Sequence, residues 1–107
     1  MKSTTGGASP RHVVSDAARA TEIAEILKAV AHPLRLRLVA LLCEHEETVG
    51  GLGRALGAPQ AIVSQQLRIL RMHRLVDAIR GHGFVTYRLR EPRLRDLVRC
   101  VESCGAQ

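Results

Sequence analysis

The sequence predicts a mainly α fold with one small β-hairpin, and three observations carry that expectation. Apolar residues recur at i, i+3, i+4 and i+7, the period of a helix with one buried face. Pro33, Pro59 and Pro92 each stand at the head of an apolar stretch, where a helix tolerates proline best. After Leu75 the helical period stops, and two short β-prone runs flank Gly81-His82-Gly83. At 107 residues a single domain is expected.

Residues 1–14 hold Ser, Thr, Gly and Pro with little periodicity, so a disordered tail is expected there, followed by the domain over residues 15–104. Ser15 is placed to cap a first helix, with Asp16 favourable in its first turn. Ile23, Ile26, Leu27 and Val30 form that helix's apolar stripe. A second helix has His32 as cap and Pro33 as first residue, buries Leu34, Leu38, Leu41 and Leu42, and runs to about Cys43. Glu44–Glu47 read as an acidic loop. Thr48 caps a short third helix, anchored by Leu52 and Leu56 and closed by Gly57. Gly50, Gly51 and Gly53 weaken it by about 1 kcal/mol each against alanine. A fourth helix starts at Pro59 and runs to about His73, with Val63, Leu67 and Leu70 inward. Val76–Arg80 and Phe84–Arg90 form the hairpin, and a last helix opened by Pro92 carries Leu94, Leu97, Val98 and Val101.

Helix, helix, helix–turn–helix, hairpin, helix is the order of a winged helix-turn-helix. The first and last helices carry apolar stripes that the core of such a domain hardly needs, so a symmetric dimer through those two helices is expected. Two helix-turn-helix units about one DNA turn apart would then read an inverted repeat.

Charge points the same way. The chain has 16 basic and 10 acidic residues, net +6. Most of the excess falls in residues 58–107, where nine basic groups face four acidic ones. A basic half suggests an anionic polymer as partner, although a solvated Arg-rich surface would give the same count. Aromatics are only Phe84 and Tyr87, which argues against stacking of single-stranded bases. The exposed face of the fourth helix holds Gln60, Ser64, Gln65 and Arg68. Gln pairs with adenine edges, Arg with guanine or phosphate, and Ser with either. Arg80 and His82 at the hairpin tip suit a minor groove, and Thr86, Arg88 and Arg90 suit phosphates. Winged helices also serve as protein-interaction modules, but the Arg excess and this polar face coincide, which favours double-stranded DNA.

Three segments resemble a known family, the arsenic-responsive repressor (ArsR/SmtB) family. They are Leu27–Arg37 (LKAVAHPLRLR), Ala61–Leu70 (AIVSQQLRIL), and Leu75-Val76 followed by Arg80–Leu89 (RGHGFVTYRL). The resemblance covers roughly residues 20–100. It implies a homodimeric bacterial repressor, released from its operator when an inducer binds. It implies base contacts from Gln60, Ser64 and Gln65, and backbone contacts from Arg68 and the wing. Pro59 and Ala61 stand where the family usually has Ser, which removes a helix cap.

The inducer must be sought in the side chains. The family's arsenic-sensing box, with thiols at the head of the third helix, has Thr48-Val49-Gly50-Gly51-Leu52 here. The family's zinc site needs His and carboxylates around the last helix, and that helix has no His. Three cysteines remain. Cys100 and Cys104 lie one helical turn apart and so on one side of the last helix. Two such thiolates chelate a soft ion such as As(III), Sb(III) or another soft metal ion such as Cd(II), with Cys43 as a candidate third ligand. Relatives that sense thiol chemistry imply the alternative, a reactive-sulfur or redox sensor joining Cys43 to Cys100 or Cys104. Arg95 and Arg99 nearby would raise thiol reactivity. Buried, inert cysteine is the plain alternative for Cys43.

An enzyme is not expected: the sequence has no Gly-rich phosphate loop, metal-hydrolase helix or recognisable triad. No cofactor is expected for DNA binding. No apolar run approaches the ~20 residues of a membrane span, and the N-terminus has no apolar signal core, so a cytoplasmic protein is expected.

Overall fold

The computed structural model describes residues 10–105. Among them six helices and three strands follow in order. They are α1 (Pro10–Ser15), α2 (Ala17–Val30), α3 (Pro33–Glu44), β1 (Glu47–Thr48), α4 (Val49–Leu56), α5 (Gln60–Met72), β2 (Val76–Gly81), β3 (Phe84–Leu89) and α6 (Arg93–Gly105). The winged helix-turn-helix expected from the sequence is present, with α4 and α5 as the helix-turn-helix and β2–β3 as the wing.

Two elements differ from the reading of the sequence. Residues 10–14, expected within a tail, belong to α1, while residues 1–9 lie outside the described part. Ser15 therefore ends a helix instead of capping one. Asp16 is extended (φ −126°, ψ 98°) and its carboxylate accepts from the Arg19 amide at 3.1 Å, so it caps α2. The second difference is β1. Glu47 and Thr48, read as loop and cap, also pair antiparallel with Tyr87 and Thr86. The hairpin is thus part of a three-stranded sheet in the order β1-β3-β2. Two residues carry no readable period, so only the pairing reveals the strand.

The caps follow side-chain chemistry. The His32 ring accepts from the Leu34 amide at 3.1 Å, and Pro33 fills the first helical position, which needs no N–H. Thr48 Oγ1 accepts from the Gly51 amide at 3.1 Å. Gly57 closes α4 in the left-handed region (φ 64°), with its N–H returned to the Arg54 carbonyl. α5 begins at Pro59 without a side-chain cap, as the missing Ser implied. The wing turns through His82 (φ 49°) and Gly83 (φ 86°), the pair of positive φ angles of a tight hairpin.

One apolar core unites these elements. Leu38, Val39 and Leu42 of α3, Leu52 of α4, Val63, Leu67 and Leu70 of α5, Leu75 and Leu94 are all at most 1% exposed. Burying each such side chain stabilises the fold by roughly 1.5–3 kcal/mol. Val39, absent from the expected face of α3, joins it because α2, α5, α6 and β3 all pack against α3. At the edge, Arg93 bonds Glu91 at 2.9 Å and Glu22 at 3.2 Å, fastening α6 to α2. Its hydrogen bonds hold the Glu91 carboxyl below the usual carboxylate range.

The glycines of α4 differ in what packs around them. A Cβ on Gly53 would lie 2.9 Å from the Ala58 carbonyl oxygen, part of the rigid α4–α5 turn. A Cβ on Gly50 would meet the ends of Gln60 and Arg54 at 3.2 and 3.3 Å, which can move aside, and Thr48 Oγ1 at an ordinary 4.0 Å. Gly50→Ala is therefore expected to raise the melting temperature, by up to the ~1 kcal/mol of helix propensity. Gly53→Ala is expected to lower it despite the same gain. Thermal unfolding followed by circular dichroism checks the pair.

Candidate nucleic-acid interface

α5 is a two-faced helix held by one face. Val63, Leu67 and Leu70 are wholly buried, and Gln60, Ser64, Gln65 and Arg68 are all exposed. Helical spacing sets Gln65 and Arg68 on the outermost stripe, with Ser64 on its flank. Gln60, in the first turn, leans toward α4. There it lines a shallow cleft of about 510 Å³ with Gly50, Gly53, Arg54, Gly57, Ala58 and Pro59. Arg54, exposed in the last turn of α4, is a cation beside this helix that sequence reading missed. Its signal was weak: one arginine in a glycine-rich stretch.

The wing carries its cations on two faces. Cross-strand partners share a face, and neighbours along a strand alternate. Arg80 pairs with Val85, on the side of Val76, Ala78, Tyr87 and Leu89 that packs on the core, but it lies at the exposed tip beyond that core. Arg88 pairs with Asp77, on the outer side with Thr86 and Phe84. The guanidinium groups of Arg88 and Arg90 each come within 3.8 Å of the Asp77 carboxylate. These exposed ion pairs are weak and leave both arginines available. His82 stands at the tip, and Phe84 is 56% exposed beside it. The residues expected to contact DNA thus lie on one helix face and along the wing, Arg80 and His82 at its tip and Arg88 near its base on the opposite side of the hairpin.

The cysteines separate in the same manner. Cys100 lines an apolar groove of about 340 Å³ between α2 and α6, with Ile23, Ile26, Leu27, Leu94 and Leu97. Leu27 and Val101, both close to half exposed, lie on these two helices. Cys104, one turn beyond Cys100, is exposed on the same side. Cys43, half-buried at the end of α3, lines a different cleft with Arg95, Val98, Arg99 and Glu102. The residues of that cleft and those of the groove occupy opposite sides of α6 by helical spacing. Arg95 and Arg99 therefore attend Cys43, not the Cys100/Cys104 pair they were expected to activate. Arg95 also donates to the Cys43 carbonyl, closing the end of α3. Burial pushes the Cys43 thiol above its ordinary value, and Arg95 offsets only part of that shift. Among the described residues no group of three or more His, Cys, Asp or Glu comes together as a metal site. Nor is any described helix long and apolar enough to cross a membrane.

Comparison with known proteins gives consistent results. The model of the arsR family of bacterial regulatory proteins matches residues 32–78. The biofilm growth-associated repressor of Xylella fastidiosa is 41% identical over 83 residues, 78% of this chain and 73% of that protein. The crystal structure of the transcriptional repressor BigR from Xylella fastidiosa superposes with a TM-score of 0.80 at 37% identity, covering 85% of this chain and 93% of that one. The homodimeric winged helix-turn-helix domain Mb0332 from Mycobacterium bovis superposes at 0.73 with 28% identity, covering 94% and 90%.

The raised Cys43 value gives a pH expectation. Its thiolate population, and so its alkylation rate, is low at neutral pH and reaches half its plateau above the ordinary cysteine range. Arg95→Gln removes an opposing charge and is expected to move the midpoint higher still. Iodoacetamide rates against pH, measured on a Cys100→Ser/Cys104→Ser background, check both.

Proposed function

Because the chain belongs to the arsR family of bacterial regulatory proteins, we propose that it is a homodimeric transcriptional repressor that binds an inverted-repeat operator and releases it when a soft metalloid engages Cys100 and Cys104. The observation that carries the DNA-binding part is α5. Its core-facing side chains are wholly buried, and the opposite face offers Ser64, Gln65 and Arg68 to a major groove about 12 Å wide. Gln60 adds an amide at the helix start. Arg68, Arg88 and Arg90 supply phosphate contacts, and Arg80 and His82 enter the flanking minor groove. The family is one of regulators, and the roles assigned here are binding roles.

The dimer reading is supported by the groove between α2 and α6, which is almost wholly apolar at its surface. A second copy covers it with the same helices, which also sets two α5 helices side by side on one face of the duplex. The homodimeric relative from Mycobacterium bovis supports the same assembly.

The inducer reading is supported by the donor chemistry. Cys100 and Cys104 offer two thiols one turn apart, a fit for As(III) or Sb(III). Each thiol loses its proton to a hydroxide of arsenous acid, which leaves as water while an As–S bond forms. Cys100 lies in the groove assigned to the dimer, so a bound metalloid would alter the packing of α2 on α6. The rival reading joins Cys43 to Cys100 or Cys104 by oxidation or through sulfur. Within one subunit it requires α6 to move, because the two thiol groups stand on opposite sides of that helix. Chelation by the adjacent pair needs no such motion and is favoured on that ground. No cofactor is assigned to DNA binding itself, and the protein is assigned to the cytoplasm.

Two measurements test the reading. Selection from a random duplex library should enrich an inverted repeat. On that duplex Gln65→Ala should cost about 1–3 kcal/mol and relax selectivity, whereas Arg88→Ala should weaken all DNA alike and reduce the salt slope by about one. Equal losses on selected and random DNA for Gln65→Ala would remove it from base reading. Intact-mass spectrometry with arsenite should give an adduct that needs both Cys100 and Cys104. An adduct that persists in Cys100→Ser/Cys104→Ser would sink the assignment of the site.

A further inference from the structure

We propose that Arg35 is a positioning residue that locks the recognition helix α5 to the end of α2 and so sets the distance between the two recognition helices of a dimer; this rests on the dimeric DNA-binding reading above. The argument starts at a missing hydrogen. The carbonyl of Ala29, in the last turn of α2, is one of those a helix end leaves without an intrahelical donor, and the residue four on has none to offer either. That residue is Pro33, which has no N–H. Arg35, one turn into α3, supplies the donor through Nε. Its Nη1 donates in turn to Gln66 Oε1 at 2.8 Å. Arg35 and Gln66 are both half-buried, and Ala29 is 3% exposed, so water competes poorly for these bonds.

The placement gives the pair its role. Gln66 sits in α5 between the exposed Gln65 and the buried Leu67. α2 carries Ile23, Ile26 and Leu27, one wall of the groove assigned to the partner copy. A planar guanidinium with donors in fixed directions therefore spans from the helix that meets the partner to the helix that meets DNA. A tilt of α5 relative to α2 stretches one of its two bonds. In a two-fold dimer that tilt changes the separation of two base-reading surfaces, which must match the helical repeat of the duplex. Lysine cannot replace this residue in kind, because a single ammonium has no such fork.

The test reads spacing preference, which a merely structural role would leave untouched. The duplex enriched by the wild-type chain from a random 30-base-pair library is the probe, with versions whose half-sites are moved one or two base pairs closer or farther. Wild type should prefer the enriched spacing. Arg35→Lys and Gln66→Ala should each reduce that preference about fivefold or more, the low end of ordinary coupling between sites. Combined, they should do no more than either alone, as expected of two ends of one link. Gln66→Glu keeps the acceptor and should keep the preference, whatever its overall affinity. Gln66→Ala should remain dimeric by sedimentation and unfold near the wild-type temperature. An unchanged spacing preference in folded Gln66→Ala, or losses equal at every spacing, would overturn the proposal alone. Failure of the wild type to enrich any duplex, or enrichment of a single half-site, would overturn the dimeric DNA-binding reading and this proposal with it.

Discussion

Val63, Leu67 and Leu70 take one face of the recognition helix wholly out of water, and the surrounding elements are arranged to keep it there. α3 supplies Leu38, Val39 and Leu42 beneath them, α4 supplies Leu52, and β2 with the residue before it closes the edge through Val76 and Leu75. The contact is non-directional, so it needs only matching apolar surface. Because it occupies one face of the helix, it fixes by exclusion which residues face outward. A helix held this way exposes Gln65 and Arg68 without either of them contributing to its anchorage.

Polar bonds then supply what apolar packing cannot, namely direction. Helix ends leave carbonyls without partners, and arginines of other elements meet several of them here, Arg37 at Leu56 of α4 among them. Arg35 meets Ala29 at the end of α2, and Arg95 meets Cys43 at the end of α3. Arg93 ties α6 back to α2 through Glu22. Part of the basic excess that suggests a polyanionic partner is therefore internal scaffolding. The cations that remain outward are concentrated on α4, α5 and the wing.

Much of this was legible in the sequence, and the reasons are physical. Long apolar stripes, proline at helix starts and glycine in the hairpin each report a local rule, and α2 to α6 lie where those rules put them. The cap of α3 by His32 and of α4 by Thr48 was readable for the same reason. β1 was not, because two residues gain their identity only from β3 across the sheet. The α1 helix was hidden by a Ser- and Gly-rich lead, and with it the shift of the cap from Ser15 to Asp16. At the interface, the helix face followed from spacing, but the division of Arg80 from Arg88 needed the register. The cysteines were the hardest. Spacing joined Cys100 to Cys104 and already set Arg95 and Arg99 across the helix from them, yet only the packing of α3 on α6 shows that Cys43 stands on that other side.

The small strand β1 has a further meaning for the wing. A two-stranded ribbon is only marginally stable in water on its own. Here β3 is flanked on both edges, and Thr48 serves at once as a sheet residue and as the cap of α4. The wing is thereby stitched to the helix-turn-helix through β1, whose second residue also caps α4. Its conformational freedom is surrendered when the chain folds, not when it meets a ligand. On the proposed reading, wing and helix would then reach a double helix as one calliper, without an ordering step for the arm.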